Sequence, residues 1–329
     1  MWGLRARARP GYAPGVERRR RIGAYGVCLD ARGHVLLVQA RPHVSVIGGW
    51  WALPGGGIRH GEHPEDALVR EFAEETGLRI QVVGLRDVVT DIDQISQPPG
   101  FRHHDRLIFE VRATGGELKP EDGGSSCAVA WFAPAELPGV QLSEHSTRAL
   151  DLPLGPELLS RRDQIRRLLA DVPAPPPAPL AGARQRFAAY GLVTNADGEV
   201  LLALISDRYP GAGHWHLPGG GTDFGESAAD GLLRELVEET DQRGDIVGVI
   251  GASHRHYRNA SRAGSGPVDL HGVRVVFRVT VAEPTPPKVN EEAGSTTAAG
   301  WFRPGQALRL PLTDIAREHV ELLMPTSGR

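Results

Sequence analysis

Two groups of three glutamates are spaced for metal chemistry. Glu71, Glu74 and Glu75 lie within VREFAEETGL, and Glu235, Glu238 and Glu239 lie within LRELVEETDQ. On an α-helix the positions i, i+3 and i+4 share one face, so each trio would aim three carboxylates into one small volume. Such charges repel one another unless a cation sits between them. Carboxylate oxygens suit hard divalent ions, Mg²⁺ or Mn²⁺, and Mg²⁺ keeps positions open for water and substrate phosphates. The plain alternative is a solvated acidic helix face.

The surrounding residues supply the elements that would position these groups. Pro64 suits a first helical turn and Gly77 a left-handed cap, so the spacing predicts a helix over 64–76, entered from the Gly55, Gly56, Gly57 loop. Leu68, Val69 and Phe72 form an arc beside the glutamates that can pack on a sheet. The pattern is then written a second time. RIGAYGVCLDARGHVLLV from Arg21 returns as RFAAYGLVTNADGEVLLA from Arg186, WWALPGGGIRHGE returns as HWHLPGGGTDFGE, and Trp131 is matched by Trp301. Whole duplicated domains follow, since solenoid repeats are only about 20–50 residues long. Strand-like and helix-like segments mix within each copy, an α/β pattern.

Expected boundaries are a flexible basic arm at 1–20, a first domain at 21–169, a Pro/Ala-rich linker at 170–184 and a second domain at 185–329. Five prolines in the linker favour an extended spacer. Just before it, Leu158, Ile165, Leu168 and Leu169 recur at helical spacing, predicting an amphipathic helix.

The 329 residues, 40% apolar and 23% charged, suit a globular chain of about two domains. No run of 18 apolar residues occurs and the N-terminus lacks an apolar signal core, so a cytoplasmic protein is expected. A net charge of −3 gives no bulk field for nucleic acid or anionic lipid, which makes those partners unexpected. Cys28 and Cys127 are read as two buried thiols.

From Gly56 to Leu78 the chain fits G-x5-E-x7-R-E-U-x-E-E-x-G-U, with Gly56, Glu62, Arg70, Glu71, Phe72, Glu74, Glu75, Gly77 and Leu78 at the defined positions. This resembles the box of Nudix (MutT-like) hydrolases. The second copy keeps Gly220, Glu226, Arg234, Glu235, Leu236, Glu238 and Glu239, then departs, with Asp241 for glycine and Gln242 for an apolar residue. Those departures are expected to weaken helix capping and packing without removing a ligand.

The resemblance implies two tandem α/β/α sandwiches, each with a mixed sheet and a loop–helix–loop box. It implies that Glu71, Glu74, Glu75, Glu235, Glu238 and Glu239 hold Mg²⁺ or Mn²⁺. Arg70 and Arg234 would brace them with Glu62 and Glu226, and the loops Gly55–Gly57 and Gly219–Gly221 would contribute carbonyls. The implied reaction is water attack on a diphosphate, in a nucleoside diphosphate linked to another moiety or in a nucleoside triphosphate. A second reading makes domain 1 catalytic and domain 2 a nucleotide-binding or dimerisation module. The two domains could pair within one chain, or the chain could form a homodimer.

The family draws its general base from a variable downstream loop, for which Glu121 and Glu291 are candidates and Asp122 or Glu292 alternatives. His103 with Arg106, and His271 with Arg274, precede strands at matched positions; the arginines could bind phosphate or simply flank the core. His254 and His256 read as solvated loop histidines outside any metal site. Tyr25 and Tyr190 read as core, while Trp51 and Trp215 could pack or stack on a base.

Overall fold

The computed structural model describes residues 17–42, 48–96, 99–170, 182–260, 268–290 and 294–325. The first half runs β1 (Glu17–Cys28), β2 (Val35–Ala40), β3 (Trp51–Ala52), β4 (Gly55–Gly57), α1 (Pro64–Thr76), β5 (Leu78–Ser96), β6 (Pro99–Gly116), β7 (Ser126–Phe132), α2 (Glu144–Ala149) and α3 (Pro156–Ala170). The second half repeats that order with β8 (Gly182–Asn195), β9 (Val200–Ile205), β10 (Trp215–His216), β11 (Gly219–Gly221), α4 (Ala228–Thr240), β12 (Asp245–Ala260), β13 (Val268–Val281) and β14 (Thr296–Phe302). It closes with α5 (Pro304–Ala307) and α6 (Asp314–Glu321).

In each half a mixed sheet has one parallel pair at its centre, β1 with β6 and β8 with β13, flanked by antiparallel neighbours. A smaller antiparallel group, β3-β2-β7, lies beside it in the first half, and in the second half β10-β9-β14 joins the same sheet through β8 and β9. Strand alternation sends neighbouring residues to opposite faces. Thus Ala24 joins the core under α1 while Tyr25 joins the core that includes Leu142 and Ala149, near and on α2. Phe187 and Leu192 divide in the same way in the second half. Helices therefore cover both faces, an α/β/α sandwich made twice.

The α1 core and the α4 core form one continuous apolar cluster, so the two halves fold against each other within the chain. Their polar contacts are reciprocal. Arg20 Nη1 donates to Thr222 O at 2.6 Å, and at the matched positions Gln185 Nε2 donates to Ile58 O at 3.0 Å. In each domain the loop between the glycine strand and the box helix thus docks on the first strand of the other.

Several boundaries differ from the sequence reading. β1 begins at Glu17, so Arg18, Arg19 and Arg20 are strand residues and not part of an arm; Arg20 also pairs with buried Asp105 at 2.6 Å. α3 extends to Ala170 and β8 starts at Gly182, leaving 171–181 outside the described residues. In α3, Leu158 and Ile165 are buried but Leu168 is exposed. Cys28 is buried, whereas Cys127 is only half-buried, its Sγ facing Gln39 O. His103, Arg106, His271 and Arg274 lie within β6 and β13 and do not precede them. Among the described residues no helix is long and apolar enough to cross a membrane.

Candidate active site

α1 is bounded as its punctuation predicts. The His63 side chain accepts from Glu65 N at the start, Pro64 opens the first turn, and Gly77 closes the helix at φ 71°. Helix α4 starts under Ser227, whose hydroxyl accepts from Asp230 N at 3.1 Å. At its exit Asp241 takes the left-handed conformation, φ 57°, in which a non-glycine residue is strained. Asn290 Nδ2 donates to Asp241 Oδ1 at 2.8 Å and holds it there.

Gln242 is buried where the family pattern is apolar, yet its amide is satisfied: Nε2 donates to Thr285 Oγ1 at 2.8 Å and Oε1 accepts from Thr285 N at 3.0 Å. The expected weakening at this helix exit is therefore offset by a polar clasp. Gln242→Ala should lower unfolding stability in urea by about 1–3 kcal/mol, the usual effect of stranding buried polar partners.

The two boxes share one geometry. Arg70 Nε and Nη2 donate to Glu62 at 2.8 and 2.9 Å, and Nη1 reaches Glu71 at 2.7 Å and Glu74 at 3.3 Å. Arg234 makes the same set to Glu226, Glu235 and Glu238 at 2.9 to 3.1 Å. Glu75 is buried and accepts from Gly55 N at 3.0 Å and Ser125 Oγ at 3.2 Å. Glu239 accepts from Gly219 N at 2.9 Å, Ser295 Oγ at 3.0 Å and Thr296 Oγ1 at 2.6 Å. Burial pushes both carboxyls up to about 7, with the neighbouring Glu71 or Glu235 charge adding to it.

Gly56 and Gly220 leave room for the cluster. A Cβ at Gly56 would stand 2.5 Å from the Glu71 carboxylate, and one at Gly220 2.8 Å from that of Glu235. A carboxylate trio pressed on a backbone cradle, with one member buried and short of countercharge, offers oxygen donors only. Those residues fit a hard divalent ion.

Glu121 is brought to this site: its Oε2 accepts from Ser125 N at 2.9 Å, and its charge contributes to raising Glu75. Glu291 and the alternative Glu292 lie outside the described residues.

Where the substrate should lie, the domains part company. Four matched positions on the two long strands read Asp91, Asp93, His104 and Arg106 in domain 1, and Arg255, Tyr257, Gly272 and Arg274 in domain 2. In domain 1 these groups neutralise one another. Arg106, fully buried, forms an ion pair with Asp91 and donates to Tyr25 Oη at 2.6 Å, while Asp93 holds His104 at 3.2 Å and Arg161 of α3 at 2.8 Å. Among the described residues a cavity of about 30 Å³ lies beside them, and Asp91 also borders a wider cleft of about 650 Å³ shared with Phe224 and Gly225 of domain 2.

In domain 2 the same region is a cleft of about 480 Å³ that opens onto Gly219, Gly220 and Glu239. Arg186, Arg255 and Arg274 line it together with Tyr190, Tyr209, His216 and Tyr257. Arg274 Nε is buried without a hydrogen-bond partner among the described residues.

Arg106 is thus committed to an internal ion pair, and Arg274 faces open space. Tyr190 is a cleft wall as well as a core residue, which the sequence reading did not foresee. Trp51 and Trp215 pack edge-on against Phe132 and Phe302 at 4.7 and 4.9 Å, so they are packing residues. Arg255 and Tyr209 were missed by the sequence reading. The charge reversal between Asp91 and Arg255 was available as a signal only once β5 and β12 could be aligned.

Fold and site together define a doubled α/β protein with two glutamate-bearing loop–helix–loop boxes. The chain belongs to the Nudix family: the NUDIX domain model matches residues 19–151 and 184–323. It is a Nudix hydrolase, acting on phosphoric anhydride bonds, in tandem form. The 8-oxo-dGTP diphosphatase of Proteus vulgaris is 42% identical over 106 residues, 32% of this chain and 87% of that protein. The ADP-ribose pyrophosphatase of Methanocaldococcus jannaschii is 43% identical over 74 residues, 22% of this chain and 41% of that protein. Among solved structures, a MutT NUDIX hydrolase from Burkholderia pseudomallei shares 26% identity at a TM-score of 0.36, covering 41% of this chain and 99% of its own.

Proposed function

We propose that this chain is a Mg²⁺- or Mn²⁺-dependent pyrophosphohydrolase whose substrate is held in domain 2. The substrate is a nucleoside triphosphate, or a nucleoside diphosphate linked to another moiety, cleaved by water attack on a diphosphate phosphorus. The observation that carries this reading is the contrast at four matched positions: mutually ion-paired side chains in domain 1, and an arginine- and tyrosine-lined cleft at the glutamate box in domain 2.

Each group has a physical task. Arg186, Arg255 and Arg274 match the negative charge of a polyphosphate, and guanidinium groups can bind phosphate oxygens in pairs. Tyr209 and Tyr257 offer faces on which a base can stack. Glu235, Glu238 and Glu239 would hold the divalent ions, with Arg234 keeping the trio in register through Glu226. When bound, those ions would neutralise the diphosphate and make water more acidic. In domain 1, Glu71, Glu74 and Glu75 would hold a divalent ion in the same way. Glu121, beside Ser125 and Glu75, is the candidate proton acceptor there, and Glu291 is its counterpart by sequence.

The relatives named above act, by their names, on an oxidised nucleoside triphosphate and on ADP-ribose, which supports both forms of the substrate class. The division of labour that gives catalysis to domain 1 and binding to domain 2 leaves without a role the glutamate box that borders the domain 2 cleft.

The test is a panel of nucleoside triphosphates, ADP-ribose, sugar nucleotides and dinucleotides, assayed with Mg²⁺ and after chelation. The expected result is metal-dependent release of a nucleoside monophosphate, with Arg274→Ala raising KM by about 10-fold or more, the scale of a lost charged hydrogen bond of about 1.5–3 kcal/mol. Absence of hydrolysis across the panel, or an Arg274→Ala enzyme with unchanged KM, would refute the assignment.

A further inference from the structure

The domain interface holds a histidine cluster that the Nudix chemistry does not use. His60, from the loop before α1, meets His256 and Asp269 of domain 2. Asp269 Oδ1 lies 2.9 Å from His60 Nε2 and 2.6 Å from His256 Nε2. His60 and His256 stack edge-on with centroids 4.9 Å apart, and His63, His254 and His271 stand around them.

The duplicated fold supplies an internal control. The positions matched to His60, His256 and Asp269 in the other half of the interface are Phe224, Ile92 and Phe101. The backbone arrangement is equivalent on both sides: Gly61 lies against the His256 ring as Gly225 lies against Ile92. At these three places one half of the interface therefore carries apolar side chains, and the other two imidazoles and a carboxylate. Packing alone does not require that exchange.

We propose that His60, His256 and Asp269 form an interdomain site for a borderline transition-metal ion, Zn²⁺ in the first instance, distinct from the two glutamate boxes. Two imidazole nitrogens and one carboxylate are a donor set for Zn²⁺, Co²⁺ or Ni²⁺ and not for Mg²⁺. The three ligand atoms lie within 4.8 Å of one another. Tetrahedral Zn²⁺ with bonds of about 2.0–2.2 Å would hold them about 3.3 Å apart, a small opening of the hydrogen-bonded arrangement. Each neutral imidazole can ligate through Nε2 with its proton on Nδ1, so no group is consumed. The site spans both domains, so the ion would link them; a fourth position stays open to water.

The experiment uses the full chain, stripped with chelator and titrated with Co²⁺ and then Zn²⁺. The expected result is the visible d–d absorption of one tetrahedral Co²⁺ per chain, displaced by one equivalent of Zn²⁺, with a higher melting temperature. His60→Phe, which copies the residue of the other half, and Asp269→Asn should each remove that equivalent while keeping the native circular dichroism spectrum. The Glu75→Gln/Glu239→Gln double variant should retain it, which separates this site from the glutamate boxes. Absence of stoichiometric Co²⁺ binding would overturn the proposal. So would an absorption band that survives in folded His60→Phe or is lost in the glutamate double variant.

Discussion

Glu239→Gln should lower kcat/KM by more than 10²-fold, while Glu75→Gln should leave most of the turnover in place. Replacing an outer-shell partner of a metal ligand typically lowers affinity or activity about 10–100-fold, and Glu239 is proposed as a ligand itself. It is the buried member of its trio, fixed by Gly219 N, Ser295 and Thr296, and it borders the open cleft. Glu75 holds the equivalent place in domain 1, but the strands beside it carry the Asp91–Arg106 and Asp93–His104 pairs. The comparison is made in steady-state assays with saturating Mg²⁺ on the best substrate of the panel. Equal losses in the two variants would mean that both domains turn over substrate, and a loss confined to Glu75→Gln would reverse the assignment.

In the metal-free protein the stability contributed by Glu75 and Glu239 should be lost as pH rises from 4.5 to 8. Glu75 and Glu239 are each pushed from 4.5 to about 7, chiefly by burial. A carboxyl whose folded value is raised binds its proton more tightly in the native state than in the unfolded chain. Its contribution is fully present below the unfolded value and is lost as pH climbs through the folded one. A rise of this size corresponds to about 3 kcal/mol per site. Urea unfolding in chelator should therefore show the unmutated protein losing stability relative to the Glu75→Gln/Glu239→Gln variant across this window. Added Mg²⁺ should restore stability near pH 8, because the ion replaces the proton as countercharge. Parallel pH profiles for the unmutated protein and the double variant in chelator would contradict the burial of these groups.

Much of the site could be read from the sequence because its positions are set by local rules. Pro64 and Gly77 fix the ends of α1, and helical spacing then puts Glu71, Glu74 and Glu75 on one face whatever the rest of the chain does. The brace from Arg70 to Glu62 follows from a loop that returns directly to its own helix. Duplication was equally visible, since GAYGVCL and AAYGLVT need no structure to be compared.

What escaped the sequence depends on contacts between distant segments. Asp91 and Arg106 pair because β5 and β6 are antiparallel neighbours, and Arg161 reaches Asp93 only once α3 is in place. His256 read as a loop residue because its strand partners on β13 lie across a long hairpin. Its nearest ring, His60, comes from the other domain. Asp241 and Gln242 read as losses because Asn290 and Thr285, which satisfy them, follow more than 40 residues later.

The central claim, that substrate lies in domain 2, is tested most directly by a crystal structure of the Glu239→Gln protein with Mg²⁺ and a substrate from the panel. Nucleotide is expected in the cleft bounded by Arg186, Tyr257 and Arg274, with its phosphates at Gly219 and Gly220. Nucleotide bound beside Glu75 in domain 1, with the domain 2 cleft empty, would contradict it.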